Sequence, residues 1–180
     1  QQALAIAREN GDRRNEGVWL GNLGNAYAVL GQVEQAIDLT QQALAIAREI
    51  GDRRGEGYHL GNLGLAYANL GQVEQAIDHC QQALVIAREV GDRGGEGAQL
   101  GNLGNSYTAL GLVEKAIEHY HQALLIAREI GDRRGEGNAL GNLAYTYAAQ
   151  GHLPRAVPLA AAALAILTEI KAPAMRQMEE

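Results

Sequence analysis

The chain of 180 residues has no phenylalanine, one tryptophan, one cysteine and three prolines. The single Cys80 excludes an intrachain disulfide and is typical of a reducing compartment, so the sequence favours a cytoplasmic location. So few prolines exclude a collagen-like or proline-rich segment. A formal net charge of −6, without any long basic run, argues against nucleic acid as a partner.

Long apolar runs are also missing. No stretch reaches the roughly 20 residues that a membrane-spanning helix needs, and no signal peptide is visible, so we expect no membrane partner. The chain begins with Gln1 rather than Met, which indicates a fragment or a trimmed N-terminus. The 23 glycines argue against helix, because each interior glycine costs about 1 kcal/mol relative to alanine. Composition alone leaves either one medium domain or a row of small units.

A repeat with a period of 40 residues decides between these options. Residues 17–56 and 57–96 are identical at 31 of 40 positions. The tetrapeptide Leu-Gly-Asn-Leu recurs at the same spacing, starting at Leu20, Leu60, Leu100 and Leu140. Four near-copies do not arise by chance, so the period predicts stacked supersecondary units.

Within one unit the apolar spacing is helical. Leu20, Leu23 and Tyr27 follow one stripe at about 100° per residue, which predicts a first helix. Gly31 then stands where a C-terminal glycine ends a helix, and a second helix follows. Asp52 is placed to cap the first helix of the next unit. Most glycines therefore become turns or positions of close helix approach.

The sequence thus predicts an all-α fold, an α-α superhelix of about four and a half helix-turn-helix units. First helices are expected over 13–30, 53–70, 93–110 and 133–150. Second helices are expected over 33–50, 73–90, 113–130 and 153–171, with residues 1–10 as a second helix without its partner. A single array spans 1–171, and we expect a flexible tail over 172–180. The array divides into a half unit 1–12 and units 13–52, 53–92, 93–132 and 133–171.

The residues of each unit resemble a known family. Leu20-x2-Leu23-Gly24-x2-Tyr27, followed by Ala36, resembles the tetratricopeptide repeat pattern. The pattern recurs in every copy, although Ala144 replaces the glycine in the fourth. The unit has 40 residues rather than 34, and the terminal proline of the family is absent. The position of the family's aromatic on the second helix holds Thr40, Cys80, Tyr120 and Ala160.

This longer form is similar to the repeats of Pins-type spindle-orientation adaptors, of kinesin light chains and of large bacterial signalling proteins. The resemblance implies a right-handed superhelix whose concave face is lined by the first helices. It also implies a protein–protein interaction function rather than chemistry.

The polar residues do not predict an active site. Nearly all of them recur once per unit, whereas a catalytic pocket needs several different polar groups that converge. The Gly-Asn-Leu-Gly segment lies inside an amphipathic helix and lacks a Walker lysine. We therefore expect neither catalysis nor a cofactor.

Histidine and cysteine side chains raise the question of a metal site, because both bind zinc. His79 and Cys80 lie a whole unit away from His119 and His121, and no Cys-x2-Cys clip is present. We expect Cys80 to fill the stripe between helices, the histidines to be partly exposed, and no metal to bind.

The face opposite the core stripe carries the candidate binding residues. One asparagine is identical in all four units, at Asn22, Asn62, Asn102 and Asn142, whereas its neighbours vary. Carboxamides offer donors and an acceptor that match a peptide group, so a row of them can hold an extended peptide. The neighbours that would set side-chain preference are Asn25, Tyr58, Leu65, Asn69, Asn105, Asn138 and Tyr145. Two alternatives stay open: each asparagine bonds a neighbouring helix, or the repeats are recent duplications.

Arginines form a second repeated row. Bidentate bonds from such a row could bind an acidic peptide. The glutamates that follow closely, such as Glu16 and Glu56, favour solvated or paired arginines that each contribute little. We therefore favour a structural role for the arginines over ligand binding. Acidic peptides remain the ligand class to test first.

Both ends of the array lack polar caps, which repeat arrays need. Residues 1–10 have no first-helix partner, and the segment 159–167 is apolar nearly all round. A helix of this kind is normally buried. We expect either further sequence or a second copy of the chain to pack against it, and a second copy would give a homo-oligomer. The sequence predicts a non-catalytic interaction scaffold that binds an extended peptide in its groove. The alternatives are a regulatory arm of a larger bacterial signalling protein and pure assembly through the ends.

Overall fold

The computed structural model describes residues 2–176, with side chains over 2–171. The described residues form helices joined by short turns, and no strand occurs among them. This confirms the all-α helix-turn-helix prediction, with helix ends within a residue of those expected up to the last helix. The helices are α1 Gln2–Glu9, α2 Arg13–Val29, α3 Val33–Glu49, α4 Arg53–Asn69, α5 Val73–Glu89, α6 Arg93–Ala109, α7 Val113–Ile130, α8 Arg133–Ala149 and α9 Leu153–Arg176.

The helices group into two compact units, Gln1–Gly95 and Glu96–Glu180. In the first unit α2 packs against α3 and touches α4, α3 packs against α4, and α4 packs against α5. In the second unit α7 packs against α8, and α8 packs against α9. α2, α4 and α8 are therefore each next to the second helix of their own repeat.

The turns are made by glycine in the left-handed conformation. Gly31 has a φ of 74°. This backbone conformation is strained for a residue that has a Cβ, whereas glycine adopts it readily. The first helices then start at an aspartate, as the sequence predicts. The Asp52 side chain accepts a hydrogen bond from the backbone N–H of Gly55 at 3.0 Å, which satisfies one of the free donors at the helix start.

The core lies between the first and second helices of each repeat. In the first unit Leu44 of α3 packs with Leu60 and Leu63 of α4 and with Ala83 and Ile86 of α5. Small residues on the second helices let the first helices approach closely, and alanine is accordingly frequent among the buried residues of this core. The faces turned away from this core are left for binding.

The last helix differs from the sequence expectation at its C-terminal end. α9 runs through Pro154 and Pro158 and continues to Arg176, so it enters the segment 172–180 for which we expect a flexible tail. No Gly-Asp turn follows Lys171, so the signal that ends the other second helices is missing, and the helix continues through Pro173. The rest of the expected tail, residues 177–180, lies outside the described residues.

The same helix also corrects the expectation about apolar length. The segment Leu153–Lys171 is long and apolar enough to cross a membrane by length and composition, with 17% of it buried. Its charged residues, such as Arg155 and Glu169, stand near its ends. A count of uninterrupted apolar residues stops at them, although the whole segment is apolar on average. Length and composition alone do not make a membrane helix, because helices of soluble proteins pass the same test.

Candidate functional site

The candidate binding residues lie on one face of the first helices, which we call the asparagine face. In the first unit it comprises residues of α2 and α4, and in the second unit residues of α6 and α8. All eleven candidates reach solvent, and none is fully buried. Tyr58 is 53% exposed, Leu65 45% and Tyr145 69%. Asn22, Asn69, Asn105 and Asn138 are exposed, and Asn25, Asn62, Asn102 and Asn142 are half-buried.

Hydrogen bonds join three of these side chains in the first unit. The Asn62 amide donates from Nδ2 to Asn25 Oδ1 at 2.9 Å. The Asn25 amide in turn donates from Nδ2 to the Tyr58 hydroxyl at 2.7 Å. Residues of two neighbouring first helices, α2 and α4, therefore form one polar cluster at the surface.

The second unit repeats this pair. The Asn142 amide donates to Asn105 Oδ1 at 3.1 Å, and the same oxygen accepts from the Tyr120 hydroxyl at 2.8 Å. The Asn102 amide instead reaches Gln99 Oε1 of its own helix at 3.4 Å. The equivalent asparagines thus differ in their partners although they are identical in sequence.

These contacts bear on the alternative left open by the sequence. Asn62 and Asn142 do hydrogen-bond a neighbouring first helix, as that alternative says. Each bond uses one donor, whereas an asparagine amide has two donors and a carbonyl oxygen with two lone pairs. Bonding to a neighbouring helix therefore leaves capacity for a ligand.

A pocket opens on the asparagine face of the first unit. Its volume is ≈ 270 Å³, close to the lower end of ordinary ligand pockets. Four candidate residues line it, together with two residues of α3, Ala36 and Thr40, that the sequence places in the core stripe. The candidate residues are Asn25, Asn62, Leu65 and Asn69. The remaining walls come from Gly24, Ala28, Val29 and Ala66.

Sequence reasoning did not assign Thr40 to the site. A signal was present, because the position varies in size as Thr40, Cys80, Tyr120 and Ala160 although it faces the same small residue of the first helix in three repeats, such as Gly24 and Gly104. The family resemblance alone marks these residues only as departures from an aromatic. Only the structure shows that a small residue there opens a pocket to the surface.

The arginine row divides into two classes. The first arginine of a repeat is held by glutamates: Arg13 bonds Glu16 and Glu49, and Arg8 from α1 also bonds Glu16. The guanidinium groups of Arg8 and Arg13 hold the pKa of Glu16 below its ordinary value, although burial opposes them. The same network recurs around Arg53 and Arg133. The prediction that arginines pair with nearby acids is confirmed for these residues.

The second arginine of the repeat is exposed, at Arg14, Arg54 and Arg134. Arg54 and Arg134 stand four residues before Tyr58 and Asn138 of the asparagine face, and Arg14 stands about three turns before Asn25. Residues at these spacings share a helix face. A positive group therefore accompanies the asparagine face at three of the four repeats.

His59 lies under the asparagine face and is 7% exposed. Among the described residues its Nδ1 has no hydrogen-bond partner, and burial lowers the pKa of the imidazole. It packs where α2 presents Gly21, because a Cβ at Gly21 would lie 2.6 Å from its Cε1. The His59 ring of α4 thus fills the space that the missing side chain of Gly21 leaves on α2.

Three of the four candidate metal ligands are used in packing, and His121 is exposed. Cys80 is 1% exposed, and burial raises the pKa of its thiol to about 12. His79 and His119 are half-buried and lie against Tyr67 and Tyr107, with ring centroids 5.0 and 4.9 Å apart. Within the described residues no cluster of three or more metal-ligating side chains occurs.

Comparison with known proteins identifies the repeats. Models described as tetratricopeptide repeat match residues 20–54, 58–89 and 96–169. The chain therefore belongs to the tetratricopeptide repeat family, and its fold is a solenoid of that type. No curated protein sequence matches it significantly.

Solved structures agree on the fold. BtubC (BKLC) from P. vanneervenii is 19% identical, with a TM-score of 0.78 over 93% of this chain and 78% of that chain. The TPR-like repeats of a kinesin light chain from Podosopora anserina are 24% identical, with a TM-score of 0.71 over 94% and 84%. A Rap protein complexed with Competence and Sporulation Factor is 20% identical, with a TM-score of 0.77 over 86% and 44%. The chain thus spans less than half of the Rap protein, and these likenesses establish the fold alone.

Proposed function

We propose that the chain is a non-catalytic scaffold for protein–protein interaction that binds an extended peptide along its asparagine face. The observation that carries this proposal is the polar cluster of Asn25, Tyr58 and Asn62 beside an open pocket. The amides supply donors and acceptors for a peptide main chain, and the pocket supplies room for a side chain. The repetition of the pair at Asn105 and Asn142 supports a ligand that is held at several points.

Acidic peptides are the ligand class we favour. The support is the row of exposed arginines, Arg14, Arg54 and Arg134, on the same helix faces as the asparagines. Their neighbours Arg13, Arg53 and Arg133 are already paired with glutamates. Binding of such a peptide should weaken as salt is raised, because exposed charges are screened.

The asparagine pair provides the test. Peptides are selected from a displayed random library on the immobilised chain, and their Kd is measured by calorimetry for the wild type and for Asn25→Ala/Asn62→Ala. We expect the double variant to weaken binding about tenfold or more, because each hydrogen bond contributes about 0.5–1.5 kcal/mol.

The control for this test is Gln42→Ala. Gln42 also carries an exposed carboxamide, but it belongs to the second helix α3 and bonds Asp38 there. It should leave the Kd unchanged. If the double variant folds and binds the selected peptides as tightly as the wild type, the proposal is wrong.

Self-association through the ends is a second candidate function. It is supported by the exposed apolar residues of α9: Val157 is 64% exposed and Leu164 is 67% exposed, whereas Leu164's equivalents Leu44 and Leu124 are 7% and 6% exposed. Light scattering should then give a mass above that of one chain, and Leu164→Glu should reduce it. Leu125→Glu, at 66% exposure on α7, is the matched control, and an equal effect of both variants would count against the ends.

A regulatory arm of a larger bacterial signalling protein is the remaining candidate. Its support is the common fold with the Rap protein, of which this chain spans 44%. An effector domain beside the array would favour this reading over a plain scaffold. A cytoplasmic location is part of the proposal and depends on the unpaired Cys80.

A further inference from the structure

The pocket in the first unit occupies the place that a tyrosine fills in the second unit. Thr40 of α3 and Tyr120 of α7 are equivalent positions in their repeats. The Tyr120 ring lies directly on Gly104, since a Cβ at that glycine would be 2.4 Å from ring atom Cε1. The Thr40 hydroxyl takes the corresponding position on Gly24, with its Oγ1 2.6 Å from a Cβ built there. The space beyond Thr40 is the pocket.

The hydrogen bonds of Tyr120 show what the end of this space offers. Its hydroxyl donates to Asn105 Oδ1 at 2.8 Å and lies 3.2 Å from the Thr108 hydroxyl. Asn105 Oδ1 also accepts the bond from Asn142. In the first unit the equivalent oxygen, Asn25 Oδ1, accepts the bond from Asn62. A carbonyl oxygen has two lone pairs, so Asn25 can accept one further bond where a tyrosine hydroxyl would end.

We propose that this pocket binds an aromatic side chain of the peptide ligand, with tyrosine preferred to phenylalanine. This inference rests on the proposed peptide-binding function and names the side chain that one of its subsites takes. The walls are apolar, formed by Ala28, Ala36 and Ala66, and suit the faces of a ring. The rim is polar, because the half-buried Asn25 and Asn62 line it, and the tyrosine hydroxyl is expected to bond Asn25 there.

Thr40 is the specificity-determining residue of the subsite. It is 4% exposed, and its hydroxyl is already bonded to the carbonyl of Ala36 at 2.7 Å, so it does not bind the ligand itself. Its size decides whether the pocket is open. A tyrosine in its place would occupy the ligand's position, as Tyr120 does in its own repeat.

The test uses tyrosine and phenylalanine analogues as probes. N-acetyl-L-tyrosinamide is titrated into the ¹⁵N-labelled chain, and the side-chain amide resonances of Asn25 and Asn62 are followed by NMR. We expect both to shift in a saturable manner. N-acetyl-L-phenylalaninamide should bind about three- to tenfold more weakly, because it lacks the hydrogen bond to Asn25.

Substitution at Thr40 tests whether the open pocket is needed for binding of the probe. Thr40→Tyr should weaken binding of the tyrosine probe at least tenfold, while Val85→Tyr, which adds the same side chain at an exposed site of α5, should leave it unchanged. If Thr40→Tyr does not fold, Ala28→Leu fills the pocket from α2 and should have the same effect. The inference is overturned if folded pocket-filling variants bind the probe like the wild type, or if N-acetyl-L-leucinamide binds as tightly as the tyrosine probe.

Failure of the subsite and failure of the scaffold function give different results. If selected peptides lack aromatic residues but lose affinity on Asn25→Ala/Asn62→Ala, the aromatic subsite is refuted and peptide binding stands. If the probe shifts the amides but no peptide from the library binds, peptide binding is refuted.

Discussion

Replacing Leu60 by alanine is expected to lower the free energy of unfolding by about 2–5 kcal/mol. Leu60 is 1% exposed and packs with Leu44, Leu63 and Ile86, so it touches the helices before and after its own. Truncation removes buried apolar surface and leaves a cavity that helices fixed by close glycine and alanine contacts cannot fill. Urea denaturation followed by circular dichroism measures the change.

The matched control for Leu60→Ala is Leu65→Ala. Leu65 lies five residues further along α4 but is 45% exposed, and surface substitutions usually change stability by within about 0.5 kcal/mol. Equal losses for the two variants would mean that the core is not placed between the helices as described.

Replacing Gly64 by alanine is the second large effect that we expect. A Cβ at this position would lie 2.5 Å from Cys80 Sγ and 3.3 Å from the carbonyl oxygen of Ala76. Overpacking costs about 1–3 kcal/mol, whereas alanine in a helix gains about 1 kcal/mol over glycine. Because Cys80 is 1% exposed and has little room to move, the clash should outweigh the gain in helix propensity, with a net loss of up to about 2 kcal/mol.

The fourth repeat suggests how this loss can be reversed. It carries Ala144 where the others have glycine, opposite Ala160. Cys80→Ala should therefore suppress the effect of Gly64→Ala, and thermal or urea unfolding of both single variants and the double variant forms a double-mutant cycle. Additive losses would contradict the close contact between α4 and α5 at this position.

The helices and their ends followed from the sequence because their causes are local. The stripe through Leu20, Leu23 and Tyr27 needs only the 3.6-residue period. The turn at Gly31 needs only a residue that adopts positive φ, and the cap at Asp52 needs only a short acceptor. The same helix, turn and cap residues recur every 40 residues. The tetratricopeptide fold could therefore be predicted over nearly the whole chain.

The binding surface could be predicted only as a face. Which asparagine bonds which neighbour depends on the variable residues around it: Asn62 finds the acceptor Asn25, whereas the residue equivalent to Asn25 one repeat later is Leu65, and Asn102 bonds Gln99 of its own helix. The pocket at Thr40 depends on the volume of one side chain relative to the gap between α2 and α3. The continuation of α9 past Lys171 was not predicted, because we expected the last unit to end where the earlier units end. No Gly-Asp turn follows Lys171 to end the helix there.

Mapping a selected peptide on the ¹⁵N-labelled chain by NMR tests the central claim most directly. The account predicts that the largest shifts occur at side-chain amides of the asparagine face, including Asn25, Asn62 and Asn142, in both units. Shifts confined to α1, α9 or the outer residues of the second helices would contradict it, because the peptide would then bind the chain outside the asparagine face.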